Sequence, residues 1–112
     1  MNKKDNIFDL HHVDFSSGEE IVEVLTQKKN VRIERIISSG EVSAEDFWYD
    51  QPEDEFVVVL QGEAKILFED GEEQLLNPGD YLIIPSRKKH RVSYTSSNPK
   101  CIWLAVFYNE NI

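Results

Sequence analysis

The sequence lacks the features that would stabilise it covalently or direct it out of the cell. It has one cysteine, Cys101, among 112 residues, which excludes an intramolecular disulfide. Apolar residues follow that cysteine, so we expect a buried and unreactive thiol. No apolar run is long enough to span a bilayer or to form the core of a signal peptide. We therefore expect a cytoplasmic protein.

Basic residues are also scarce relative to acidic ones. The chain has 12 Lys and Arg against 21 Asp and Glu, a formal net charge of −9. Such a chain repels phosphate backbones and anionic lipids, so neither nucleic acid nor a membrane surface is an expected partner. Its length and its 40% hydrophobic content fit one domain over residues 1–112, with room for one small-molecule pocket.

Helical periodicity is missing, and short alternating segments separated by turn residues fill the chain. Val31 and Ile33 alternate with charged residues, as in a half-buried strand, while Asp70-Gly71 favours a hairpin. The predicted strands are 20–27, 31–38, 55–60, 64–69, 74–76, 81–85, 90–95 and 101–108, with a long loop over 40–52. The last strand is apolar on both faces and should lie in the middle of a sheet. This pattern predicts an all-β sandwich or barrel with little helix.

Two groups of residues resemble the motifs of the cupin superfamily. The second half of the first motif, G-x5-H-x-H-x3,4-E-x6-G, is matched by Glu55 and Gly62. The second motif, G-x5-P-x-G-x2-H-x3-N, is matched by Gly79, Pro85 and His90. The resemblance covers about 40–108, preceded by N-terminal strands within 7–38. It implies a small single-domain cupin, an RmlC-like double-stranded β-helix (jelly roll) of two packed antiparallel sheets.

The first motif is degenerate at its histidines. With Glu55 as the motif acid, the histidine positions fall on Trp48 and Asp50. An alternative alignment anchored at Gly40 loses the Gly62 match; its two histidine positions and its acid are Asp46, Trp48 and Glu53. We prefer the first alignment because it keeps both halves of the E-x6-G spacing.

The resemblance implies a candidate metal site, because metal-binding cupins use three histidines and a glutamate. The matching ligands here are Asp50, Glu55 and His90, which would accept Mn, Fe, Zn or Mg without selecting among them. An enzyme of this kind would be a metal-dependent isomerase, lyase or oxygenase. Two alternatives stay open. Glu55 and His90 could simply hydrogen-bond each other, or a metal-free histidine could act as a general base.

Further candidates flank the motifs and could bind a small organic ligand. They are Trp48, Tyr81, Arg87 and Tyr94, although such aromatic residues are often core. Arg87 stands at the internal glycine of the second motif, and Tyr94 at its final asparagine. The basic run 87–91 could steer an anionic metabolite or pair with acidic neighbours. His11 and His12 are adjacent and cannot both bind one ion from a strand.

Three functions are compatible with these residues. The first is a metal-dependent protein that acts on a small polar or anionic metabolite. The second is a metal-free module that binds a small molecule without chemistry. The third is a structural protein whose pocket is filled by its own side chains. The resemblance is also compatible with a homodimer.

Overall fold

The computed structural model contains eight β-strands, one for each of the alternating or apolar segments of the sequence. The model describes residues 3–110 and contains no helix there. The strands are β1 (Ile21–Lys28), β2 (Val31–Ser38), β3 (Asp54–Gln61), β4 (Ala64–Phe68), β5 (Glu73–Leu76), β6 (Tyr81–Ile84), β7 (His90–Thr95) and β8 (Cys101–Tyr108). Every predicted strand is present, so the all-β expectation is confirmed. Met1, Asn2, Asn111 and Ile112, the ends of the predicted domain, lie outside the described residues.

The strands form two antiparallel sheets of a jelly-roll barrel. The larger sheet has the order β1-β2-β8-β3-β6, and the smaller has the order β5-β4-β7. Strand β8 lies between β2 and β3, as its two apolar faces predicted, because an interior strand is covered on both sides. None of residues 3–110 forms a helix of the length and apolarity needed to cross a membrane.

The hydrophobic core lies between the two sheets. Val57 and Val59 of β3, Ile66 of β4, and Trp103 and Ala105 of β8 are all nearly inaccessible to solvent. Alternate residues of each strand supply these side chains, since successive residues of a strand point to opposite faces.

Strand β2 is buried on both faces even though it carries charged residues. On one face, the guanidinium of Arg35 pairs with Glu23 and donates to the backbone carbonyls of Ile7 and Asp9 at 3.1 and 2.7 Å. These contacts attach the N-terminal segment to the outside of the larger sheet. Arg32 and Glu34 belong to the opposite face, which lines the interior cavity.

The loop between β2 and β3 is attached to β7 through its backbone. The Tyr49 N–H donates to the His90 carbonyl at 2.7 Å, and the His90 N–H donates back to the Tyr49 carbonyl at 3.2 Å. The Arg87 N–H also donates to the Gln51 carbonyl at 2.8 Å. This short bridge sets Tyr49 and Gln51 beside the barrel interior.

Candidate functional site

Glu55 and His90 converge from different sheets. Glu55 is the second residue of β3, and His90 is the first residue of β7. The Glu55 Oε1 and the His90 Nε2 are 3.4 Å apart, and the two residues are only 7% and 4% exposed. The Gln51 amide donates to the same Glu55 oxygen at 2.9 Å. The preferred alignment, with Glu55 as the motif acid, corresponds to this arrangement, whereas Glu53 pairs with Arg32.

The partners of His90 determine where its protons lie. Its Nδ1 is 2.9 Å from the Lys88 carbonyl, which can only accept, so Nδ1 carries a hydrogen. The remaining nitrogen, Nε2, faces the carboxylate of Glu55. Two lone pairs would repel each other there, so the contact is attractive only when one proton lies between them. The Glu55–His90 pair therefore favours a state that holds one additional proton inside the protein.

The pKa of His90 agrees with that arrangement. Burial alone lowers it, because an imidazolium loses its hydration. The hydrogen bond to Glu55, the bond to the Lys88 carbonyl and the charge of Glu55 act in the opposite direction, and the net effect raises the pKa above its usual 6.5. His90 therefore keeps its second proton to a higher pH than an exposed histidine.

The pair faces a cavity of about 230 Å³ between the sheets. That volume suits a small metabolite, since sites for drug-sized ligands measure roughly 300–1,000 Å³. The lining combines apolar walls with a few polar groups; its members are Glu20, Val22, Arg32, Glu34, Ile36, Tyr49, Gln51, Glu55, Val57, Ile66, His90, Val92, Trp103 and Phe107.

Aromatic side chains form part of the wall. The Tyr49 ring stacks on the His90 imidazole with 5.4 Å between centroids. Loss of hydration, followed by the charges of Glu20, Glu55 and Glu34, raises the pKa of the Tyr49 hydroxyl, so it stays protonated. The Trp103 indole donates to the Ser38 hydroxyl at 3.1 Å, which satisfies its N–H.

The acidic groups of the lining are not balanced by free cations. The Arg32 guanidinium donates to Glu34 at 2.7 Å and to Glu53 at 3.0 Å, and it lies 4.4 Å from the Phe107 ring centroid. Glu20 stands at the exposed rim. Loss of hydration and the charges of Glu41 and Glu34 raise the pKa of Glu20, the effect expected where carboxylates gather.

Of the three predicted metal ligands, the structure brings two together. Asp50 is exposed, lies 3.5 Å from the Arg87 guanidinium and does not line the cavity. Within residues 3–110, no three His, Cys, Asp or Glu side chains are arranged to hold a metal ion. Protein sites for Zn²⁺ usually provide three or four ligands. The donors at Glu55 and His90 alone therefore do not fit such a site.

The four predicted ligand-binding residues lie outside the cavity lining. Trp48 contacts the Arg91 guanidinium, with 5.9 Å to its ring centroid. Tyr81 is 59% exposed and stacks on Phe56 on the outer surface. Tyr94 is also exposed and lies near Lys65.

Arg87 is the fourth of these residues, and it has a backbone role. It adopts a φ of 66°, a left-handed conformation that favours glycine. This is the position at which the second motif has its internal glycine. Its side chain is mostly exposed and pairs with Asp50.

Lys88, Lys89 and Arg91, the other Lys and Arg residues of the basic run, do not line the cavity. Lys89 pairs with Glu69 at 3.7 Å, and the Lys88 ammonium lies over the Phe68 ring. Arg91 donates to the carbonyls of Glu45 and Ser43. At the N-terminus, His11 is exposed and pairs with Asp9.

Several cavity residues were not among the candidates from sequence. Tyr49 and Gln51 lie in a loop without periodicity. Arg32 and Glu34 follow the period-two pattern of β2, but charged positions in such a pattern usually face solvent. Gln51 lies four residues before Glu55, and β3 begins at Asp54. That short separation is the one sequence signal that could have placed the Gln51 amide near the Glu55 carboxylate.

Comparison with known proteins agrees with this architecture. Residues 34–107 match the family model described as a cupin domain. A Ralstonia eutropha JMP134 protein provisionally named a mannose-6-phosphate isomerase is 38% identical, with a TM-score of 0.87 over 96% of this chain and 99% of that one. No curated protein matches the chain.

More distant structures share the fold. A cupin superfamily protein from Desulfitobacterium hafniense DCB-2 is 24% identical, with a TM-score of 0.70 over 82% of this chain and 79% of its own. The FeII HppE structure is 16% identical, with a TM-score of 0.68 over 80% of this chain and 50% of that one. The family match, the 38% identical relative and the two-sheet barrel show that this chain belongs to the cupin family.

Proposed function

We propose that this cupin binds a small polar metabolite in its interior cavity and transfers a proton to or from it through the Glu55–His90 pair. The observation that carries the proposal is the 3.4 Å approach of two buried titratable groups at the wall of a 230 Å³ cavity. Perturbed titratable groups in a cavity are typical of functional sites.

The neighbours of the Glu55–His90 pair orient it for proton transfer. The Lys88 carbonyl contacts Nδ1 of His90, and the Glu55 carboxylate contacts Nε2, so the imidazole ring is held in one orientation. Gln51 holds the Glu55 carboxylate from the other side. The proton shared by His90 Nε2 and Glu55 passes to a ligand oxygen that lies beside the Glu55 carboxyl, and it returns to the pair when that oxygen gives it up. The apolar walls limit competition from water.

The name of the Ralstonia relative indicates which reaction to assay first. Isomerisation of an aldose to a ketose moves a proton between neighbouring carbons, which is the type of step that a single acid–base group performs. D-Mannose and mannose 6-phosphate would be incubated with the protein and followed by ¹³C NMR for the ketose. Product formation that is lost in His90→Gln and Glu55→Gln, but kept in the surface variant Glu72→Gln, would support an isomerase.

Binding provides a test that does not depend on the reaction. Small carbonyl and hydroxyl metabolites would be screened by shifts of the Trp103 indole and His90 imidazole resonances. We expect at least one probe to shift both signals in the wild-type protein and to lose affinity by at least ~10-fold in His90→Gln, about 1.4 kcal/mol. If no probe disturbs either resonance, the proposal fails and a cavity without a ligand is favoured.

A divalent metal is the second candidate. Glu55 and His90 stand at two ligand positions of the cupin motifs, and one related structure is named for its iron(II). Two donors do not fit a stable metal site. Metal analysis of untagged protein should give substoichiometric metal. Near-stoichiometric metal that is lost in His90→Ala would favour a metal centre, and Asp50→Asn would test whether Asp50 contributes a ligand.

The homodimer and the cytoplasmic location stay predictions. Size-exclusion chromatography with light scattering would measure the mass of the particle. A monomer at micromolar concentration would contradict the dimer.

A further inference from the structure

We infer that the cavity excludes phosphorylated molecules and takes an uncharged polyhydroxylated one, because its only permanent cation among residues 3–110 is already neutralised. This inference rests on the proposed function, since it names the class of ligand for the same cavity. It depends on the charges of the lining and on the contacts of Arg32.

The lining carries more negative than positive charge. Glu20, Glu34 and Glu55 contribute three carboxylates, and Arg32 contributes one guanidinium. A phosphate monoester adds a charge of about −1.5 to −2 at neutral pH. Each carboxylate that lines a small cavity with apolar walls repels that charge more strongly than it would in water.

The charge of Arg32 is already offset by two carboxylates. Its guanidinium donates to Glu34 and Glu53 and lies over the Phe107 ring. The Arg32 and Glu34 side chains are only 26% and 12% exposed, so the pair is held largely out of water. A phosphate that reached the remaining N–H groups of Arg32 would lie beside both carboxylates, whose two negative charges outnumber the one positive charge of the guanidinium.

The same groups are suited to hydroxyls. An ionised carboxylate only accepts hydrogen bonds, and a hydroxyl donates them, so Glu34 and Glu55 can each take a ligand hydroxyl. Gln51 adds an amide, which both donates and accepts. The Trp103 ring, whose N–H is satisfied by Ser38, presents an apolar wall to the carbon skeleton of a polyol.

The test uses inorganic phosphate as the probe and the Trp103 indole and His90 imidazole resonances as the readout. The buffer is held above the titration of His90, so that the cavity has no second cation. We expect millimolar phosphate to leave both resonances of the wild-type protein unchanged. In Glu34→Gln, the guanidinium loses one carboxylate, and phosphate should then shift both resonances with an affinity at least ~10-fold above that of the wild type, about 1.4 kcal/mol.

Two further variants keep the test decisive. Glu53→Gln frees Arg32 from the other side and replaces Glu34→Gln if that variant does not fold. Glu72→Gln removes one negative charge from an exposed hairpin and should behave as the wild type. Shifts with phosphate in the wild-type protein would overturn the inference while leaving the proposed function intact. Absence of shifts in both Arg32-freeing variants would overturn it as well, because the paired carboxylates would then not be the barrier.

D-Glucose and glucose 6-phosphate extend the test to a matched ligand pair. The neutral sugar should bind the wild-type protein at least ~10-fold more tightly than its phosphate, and Glu34→Gln should reduce that ratio. Tighter binding of the phosphate by the wild-type protein would refute the inference.

Discussion

Replacement of Gly62 by alanine should destabilise the barrel far more than the same replacement at an unobstructed glycine. Gly62 has a φ of +77°, and a methyl group there would lie 2.9 Å from the Lys100 carbonyl oxygen and 3.0 Å from the Cys101 Cα. It would also overlap the Ser96 hydroxyl. That hydroxyl accepts a hydrogen bond from the Glu63 N–H at 3.0 Å, so it is not free to move aside.

Gly71 supplies the matched control. Its φ is +96°, but nothing lies within 4 Å of the position of an added methyl group. Left-handed backbone costs a non-glycine residue ~1–2 kcal/mol, which both variants share. Steric overlap in a packed region adds ~1–3 kcal/mol, which applies to Gly62→Ala alone. We therefore expect losses of ~1–2 kcal/mol for Gly71→Ala and ~2–5 kcal/mol for Gly62→Ala.

Urea unfolding followed by tryptophan fluorescence would measure both values. The effect of alanine on the unfolded chain is common to the two variants and cancels in their difference. Equal losses of unfolding free energy at Gly62 and Gly71 would refute the steric argument. The E-x6-G glycine would then be required for its backbone conformation alone.

Three further predictions concern buried polar groups. The raised pKa of His90 stabilises the fold fully below its unfolded value near 6.5, and that contribution is lost as the pH rises through the folded pKa. Urea titrations at several pH values should show this step in the wild type and not in His90→Gln; identical profiles would contradict it. Ser38→Ala should cost ~1–3 kcal/mol by leaving the Trp103 N–H unpaired, and an unchanged urea midpoint would refute that. Burial first, and then the charge of Glu63, raise the pKa of Cys101 to about 12, so Ellman's reagent should react quickly only in denaturant; rapid labelling of the native protein would contradict this.

The strands could be predicted from sequence because their patterns are local. Asp70-Gly71 specifies a hairpin, and the two-faced apolar run of β8 specifies an interior strand. The approach of Glu55 and His90 was accessible through the cupin motifs, which relate residues that are distant in the chain. Each of these signals is carried by residue type and spacing alone.

The remaining walls of the site could not be predicted in this way. The loop over 39–53 has no periodicity, and its register depends on two backbone hydrogen bonds to His90 that leave no trace in the sequence. The motif spacing therefore pointed to Trp48 and Asp50, whereas Tyr49 lines the cavity. Arg32 and Glu34 compensate each other's charge, so the polar face of β2 can turn inward.

Backbone hydrogen bonds hold that loop near the cavity, whereas its side chains form part of the cavity wall. Tyr49 is held by its N–H and its carbonyl, and Gln51 by its carbonyl; these are groups that every residue except proline possesses in full. Their side chains can therefore be exchanged while the loop keeps its course. Substitution at Tyr49 or Gln51 would therefore change the cavity wall without removing any backbone hydrogen bond of the loop.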